Sequence, residues 1–147
     1  MDYNNFVNIK KNNVHECVVI SFIGSEFKKQ ENYNELYTKL DNTMMTALDF
    51  SKKSYNKNTI IIFVDLSGVT VKAMDTGFFK YIIPFFSDKY PDCLEKVVLS
   101  RIPSFFKACY CIIKYLIDKE TRKKVYFEKK NNSNGNICYT NNLEDLD

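Results

Sequence analysis

Thr121, Arg122, Lys123 and Lys124 place a hydroxyl beside three cations within one short turn. That grouping suits a phosphate, which is held best by charge-assisted donors. A bare solvated turn has the same composition, and both readings stand at this point. Groups for catalysis are scarce. His15 is the only histidine and falls in a strand-like stretch, with no serine or cysteine that the sequence places beside it. No G-x-S-x-G elbow is present, so a Ser-His-Asp or Cys-His arrangement would need residues far apart in the chain to meet. Asp65 and Asp75 form a carboxylate pair of a kind that chance often supplies. The four glycines cannot build a dinucleotide loop, and there is no Walker A loop. Cys109 and Cys111 make a lone C-x-C without a second half to hold a metal. The expectation is a binding protein, not an enzyme, with no metal and no cofactor.

Composition narrows the partners. The net charge of +3 over 147 residues is too small to mark a nucleic-acid binder. Basic and aromatic residues also fail to interleave as a stacking platform requires, so nucleic acid is not an expected partner. Weak attraction to an anionic leaflet is permitted, at about 1 kcal/mol per well-placed cation. Five cysteines at irregular spacing read as free thiols in a reducing compartment, which points to the cytoplasm. No signal peptide and no apolar run of membrane-spanning length is present. Richness in Asn, Lys, Ile and Tyr suggests an AT-rich genome, a parasite's or a large DNA virus's; a viral protein would work in the host cytoplasm.

The elements that must position these residues follow from periodicity. Residues 1–13 carry no sustained period and read as a loose lead-in. VHECVVISFI, from Val14, reads as a mostly buried strand. Asn32 and Glu35 form a plausible capping pair for a helix whose Tyr33, Leu36, Tyr37, Leu40, Met44, Ala47 and Leu48 share one face. The unbroken run from Ile60 to Val64 belongs to a central strand covered on both sides. Asp65 and Gly68 follow at its C-terminal end, where α/β proteins gather ligands; ending the strand and making a turn would explain them equally well. Asp75 can cap the next helix, Pro84 should kink or split it, and Tyr90-Pro91 closes it. EKVVLS (95–100) is a second interior strand. Pro103 suits a helix first turn, after which Phe105, Cys109, Ile112 and Leu116 share one face, with Phe106, Ile113 and Ile117 beside them. VYF (125–127) is a further strand. In the Asn-rich tail, 131–147, ICY (137–139) is a candidate edge strand and the remainder is expected to be mobile. The alternation of strand and helix predicts one α/β domain over 14–130, in two or three layers, with a mixed, mostly parallel sheet and flanking helices.

The segments FVDLSGVTV, KYPDCLEKVVLSRIP and SFFKACYCIIKYLIDKETRKKVYF, in that order and spacing, resemble the core of the CRAL-TRIO, or Sec14-like, lipid-binding domain. The resemblance spans residues 59–127 and implies a sheet flooring a hydrophobic cavity walled by helices. It implies that the Pro103–Ile117 segment is a gate, with Phe105, Phe106, Cys109, Ile112, Ile113 and Leu116 against acyl chains or membrane. It further implies that Thr121 and Lys124 hold the phosphate of an inositol lipid, with Arg122 and Lys123 beside them. Arg101, where such proteins usually have asparagine, would add a cation near that site, and Asp65 and Gly68 would be the family's strand end. Ile60 and Ile62 stand where family members that hold phosphatidylcholine have hydroxyl residues. The resulting expectation is non-catalytic binding of phosphoinositides or related phospholipids at cytoplasmic membranes, with lipid exchange. The alternative is a protein-interaction adaptor of the divergent type without lipid transfer. The helical module that often precedes the domain is not evident. Apolar surface left open as a result would be covered by peripheral membrane contact or, slightly favoured, by a homodimer.

Overall fold

The computed structural model describes residues 3–130 and 136–146. Six strands lie in the sheet in their order along the chain: β1 (Val7–Asn12), β2 (Cys17–Ile23), β3 (Ile60–Asp65), β4 (Leu94–Ser100), β5 (Val125–Lys130) and β6 (Ile137–Thr140). The four inner strands are parallel to their neighbours, while β1 and β6 pair antiparallel at the two edges. This is the mixed, mostly parallel α/β sheet expected. Parallel neighbours require crossovers, and α2 (Asn34–Tyr55), α3 (Thr76–Pro84) and α4 (Phe106–Ile113) supply them. Single helical turns, α1 (Tyr3–Phe6) and α5 (Lys119–Arg122), precede β1 and β5.

Register assigns every strand residue to a face. Ile20, Ile62, Val97 and Val125 lie in one row across β2 to β5, and Phe22, Val64, Leu99 and Phe127 in the next. Both rows belong to the buried clusters, together with Leu36, Leu40, Met44 and Ala47 of α2, Ile82 of α3 and Phe106, Tyr110 and Ile113 of α4. The three crossover helices therefore bury their apolar sides on one face, and sheet and helices make two layers. The alternate residues, among them Val19, Ile61, Phe63, Val98 and Tyr126, point the other way and join neither cluster. Ile60 to Val64 is central in the sheet, as expected, but is packed by helices on one side only.

Three local expectations are corrected. Residues 7–12 form a strand, not a loose lead-in: Val7 and Ile9 pair with Phe22 and Ile20 and share their packed face, a period-two pattern too short to stand out among Asn and Lys. His15 lies exposed in the turn between β1 and β2, not in a strand. Helix α2 is entered through Tyr33, while the Asn32 side chain accepts the Asn34 amide at 3.3 Å, so no Asn32–Glu35 capping box forms. Other readings agree with the structure. Asp75 caps α3 by accepting the Gly77 amide at 2.9 Å, and ICY lies within β6. Pro84 removes an amide from the helical ladder, and from Phe85 to Lys89 the chain widens into a π-helical turn. Residues 131–135, part of the tail expected to be mobile, lie outside the described residues.

Candidate functional site

Between the sheet and helices α3 and α4 lies a cavity of about 560 Å³. Its floor is Ile62, Val64, Leu94, Val97, Leu99 and Val125, the packed face of β3, β4 and β5. Phe78, Phe79, Ile82, Ile83 and Phe86 form one wall, and Phe106, Tyr110, Ile113 and Ile117 form the other. The void exists because the two helices stand apart over the middle strands. Their residues fall into two separate clusters that share only Phe79, Ile83, Val64 and Val97 as partly buried neighbours.

Polar groups gather where β4 and β5 begin: Asp92, Asp118, Glu120, Thr121 and Lys124 all line the cavity. Asp118 is the N-cap of α5, accepting the Thr121 amide at 3.1 Å and the Thr121 hydroxyl at 2.5 Å. These bonds hold the Asp118 carboxyl below its ordinary pKa. The Lys124 amide donates to the Thr121 carbonyl at 2.9 Å, and the Lys124 carbonyl accepts the Val97 amide at 2.9 Å. The turn is thus tied to the sheet, which fixes where Thr121 and Lys124 meet the cavity. On the other side of the mouth the π-helical turn presents Phe86 and Ser87, followed by Tyr90. Tyr90 donates its hydroxyl to Asp41 of α2, which also pairs with Lys89 at 2.8 Å.

The predicted headgroup residues are not all brought together. Thr121 and Lys124 are half-buried at the mouth. Lys123 is exposed and pairs with Glu120 at 3.2 Å. Arg122 is half-buried with its Nε enclosed and without a hydrogen-bond partner, and its charge acts against the rise that burial imposes on the Tyr110 hydroxyl. Arg101 lies elsewhere. It follows the end of β4, whereas Lys124 precedes the start of β5, and in this parallel pair the two are roughly 16 Å apart along the strands. Arg101 is ion-paired with Asp65, whose other oxygen accepts the Ser67 amide at 2.9 Å. Gly68 has a φ of 73° in the turn that follows, a conformation suited to glycine.

The predicted gate residues divide as well. Phe106 and Ile113 are buried and line the cavity, and Phe105 and Cys109 are half-buried beside them. Ile112 and Leu116 turn outward, 65% and 41% exposed, next to Tyr115 at 77%. Tyr110 and Gly24 are among the contributors that escaped the sequence reading. Tyr110 was not assigned to the apolar face although it lies one helical turn from Phe106. Gly24, just after β2, lines the cavity, and a Cβ there would come within 2.6 Å of both the Asp65 carbonyl and Val69. Nothing local in the sequence announces that close approach. Among the described residues no group of metal-ligating side chains is found, and no helix is long and apolar enough to cross a membrane.

Residues 3–144 match the CRAL/TRIO domain. The chain belongs to this family. It is 35% identical over 72 residues to the phosphatidylinositol transfer protein CSR1 of Eremothecium gossypii, covering 49% of this chain and 16% of that protein. A CRAL-TRIO domain-containing protein of Schizosaccharomyces pombe is 30% identical over 71 residues, 48% of this chain and 16% of the relative. Among solved structures, that of Sfh5 superposes with a TM-score of 0.64 at 22% identity, covering 86% of this chain and 48% of Sfh5. The chain thus spans only a fraction of the length of these relatives. The Sfh5 likeness shows the Sec14-like fold, and the family match takes in β1 and β6, both outside the resemblance read from the sequence.

Proposed function

We propose that this CRAL/TRIO domain binds a membrane phospholipid without catalysis, the acyl part in the cavity and the phosphate at Lys124 and Thr121. One observation carries the reading: a single cavity joins an apolar interior to a polar mouth that includes a cation tied to the sheet. A volume of about 560 Å³ falls within the usual range of roughly 300–1,000 Å³ for ligand pockets. The relative named as a phosphatidylinositol transfer protein supports the same ligand class.

The mouth also favours a kind of headgroup. Asp92 and Asp118 line the same cavity as Lys124, as does Glu120, which is paired with Lys123, so an additional phosphate on the head would meet the like charge of the two aspartates. Phosphatidylinositol itself fits better than its polyphosphates: one phosphate takes the cation, and the ring hydroxyls donate to the carboxylates. Exposed Ile112, Tyr115 and Leu116 on the cavity's helical wall supply an apolar contact for a cytoplasmic membrane surface during exchange.

The test is native mass spectrometry of freshly purified protein together with vesicle binding across inositol lipids. A co-purified phospholipid is expected, with phosphatidylinositol vesicles preferred over bisphosphate ones. Lys124→Ala should weaken vesicle binding about tenfold, the loss of one charge-assisted hydrogen bond, whereas Arg101→Gln should not change it. Empty protein, or binding unaffected by Lys124→Ala, would remove the proposal.

A further inference from the structure

The cavity wall holds a polar group that the proposed function leaves unused. Tyr110 of α4 is 8% exposed and lines the cavity. Its ring stands edge-on to Phe127 at 5.1 Å and stacks on Phe106 at 6.0 Å, contacts that hold it in place. Among the described residues, none accepts from or donates to its hydroxyl. Tyr33, buried to a similar degree, donates its hydroxyl to Asp75. A phenol taken out of water normally finds such a partner, because leaving it unpaired costs free energy.

Position narrows what could complete Tyr110. Phe127 lies three residues beyond Lys124, roughly 10 Å along β5. An occupant whose phosphate is held at Lys124 therefore meets Tyr110 with a part that lies deeper in the cavity, not with its head. Charge narrows it again. Arg122, in the turn with Thr121 and Lys124, is close enough for its cation to oppose the rise that burial imposes on the Tyr110 hydroxyl. The Arg122 Nε is itself enclosed and without a hydrogen-bond partner. A cation beside the hydroxyl favours an electron-rich oxygen there, an acceptor and not a second donor.

We infer that the Tyr110 hydroxyl donates to an ester carbonyl of the bound lipid and so selects ester-linked over ether-linked phospholipids, an inference that rests on the phospholipid reading above. A glycerophospholipid carries its ester carbonyls a few bonds from the phosphate, between head and chains. An ether-linked lipid of the same head and chains lacks the carbonyl and leaves the hydroxyl unpaired in an apolar cavity. A buried polar group discriminates in this way because the wrong ligand leaves it unsatisfied. Lys124 and Thr121 meet the phosphate, which both lipids share, and are blind to the linkage.

Competitive loading tests this. The full chain is incubated with vesicles holding equal amounts of diester- and diether-linked phosphatidylinositol of matched chain length, and the bound species are counted by native mass spectrometry. Wild type should load the diester form about fivefold over the diether form, the contribution of one hydrogen bond. Tyr110→Phe, which keeps the ring and removes the hydroxyl, should bring the ratio close to one through loss of diester uptake. Lys124→Ala should lower both forms together and leave the ratio at its wild-type value. Because the ratio is read within one sample, a general loss of uptake does not imitate the effect. Equal loading by wild type, or a preference that survives Tyr110→Phe, overturns the inference and leaves the phospholipid reading standing. Loading of neither form overturns both.

Discussion

The two faces of this sheet carry similar strands and meet different fates. On one face, Ile20, Ile62 and Val97 and then Phe22, Val64 and Leu99 form unbroken apolar rows beneath three helices. On the other, apolar Phe63 and Val98 are interrupted by Ser21, Ser100, Lys96 and Asp65, and none of these joins either buried cluster. Continuity explains the difference. A helix brings its own apolar stripe and is held by an uninterrupted floor, whereas a mixed face tolerates either water or a partner with matching polar groups. The helix-bearing face is also incompletely filled, because α3 and α4 stand apart and leave the cavity. One face thus carries the two buried clusters and the cavity, and the other carries polar groups set between its apolar ones.

Truncating side chains on each face should separate these roles most sharply. Leu40 of α2 is 1% exposed in the main cluster, and Leu40→Ala should cost about 3–5 kcal/mol in urea unfolding. Val19→Ala, a half-buried change on the other face, should cost about 1 kcal/mol or less when measured at concentrations where the chain is monomeric. Equal losses would mean that the second face is covered as fully as the first.

A latch on the helical face gives a smaller, pH-dependent effect. Tyr33 at the start of α2 donates to Asp75, the cap of α3. Burial, reinforced by that bond, pushes its hydroxyl from 10.0 to about 12. A raised pKa means that the folded state holds this proton more tightly. The contribution is therefore complete below pH 10 and is lost as pH rises toward 12, by about 2–3 kcal/mol. Alkaline titration of the unfolding midpoint should show that loss, and Tyr33→Phe should reduce it, the remainder coming from Tyr3, Tyr81, Tyr90 and Tyr110, whose hydroxyls burial also pushes up. A Tyr33→Phe profile identical to wild type would show that the two helices are not latched there.

Much of this architecture was legible because it rests on local patterns. The apolar run at Ile60–Val64, the Asp75 cap and the stop at Tyr90-Pro91 each need only a few neighbouring residues. β1 was missed because its packed residues, Val7 and Ile9, acquire meaning only when paired with Phe22 and Ile20. The candidate site divides in the same way. Thr121 and Lys124 sit in one turn whose composition is visible. Arg101 was drawn toward them by resemblance alone, although parallel strands put the end of β4 and the start of β5 at opposite ends of the sheet. The acids at the mouth come from two separate segments, so its electrostatic character appears only after folding.

The turn holding Thr121 and Lys124 offers the smallest and most local test of how the ligand face is organised. Asp118→Ala removes the cap of a single helical turn and should cost about 1 kcal/mol of stability. Because its bonds to Thr121 depress the Asp118 carboxyl, the stabilisation is present above the unfolded value of 3.8 and fades as pH falls through the lower folded value. The same change frees the Thr121 hydroxyl and removes one negative charge from the mouth. It should therefore narrow the preference for phosphatidylinositol over its bisphosphate in vesicle binding while leaving the oligomeric state unchanged. An unchanged lipid preference would mean that the carboxylates at the mouth do not read the headgroup, and that Lys124 acts there as a charge alone.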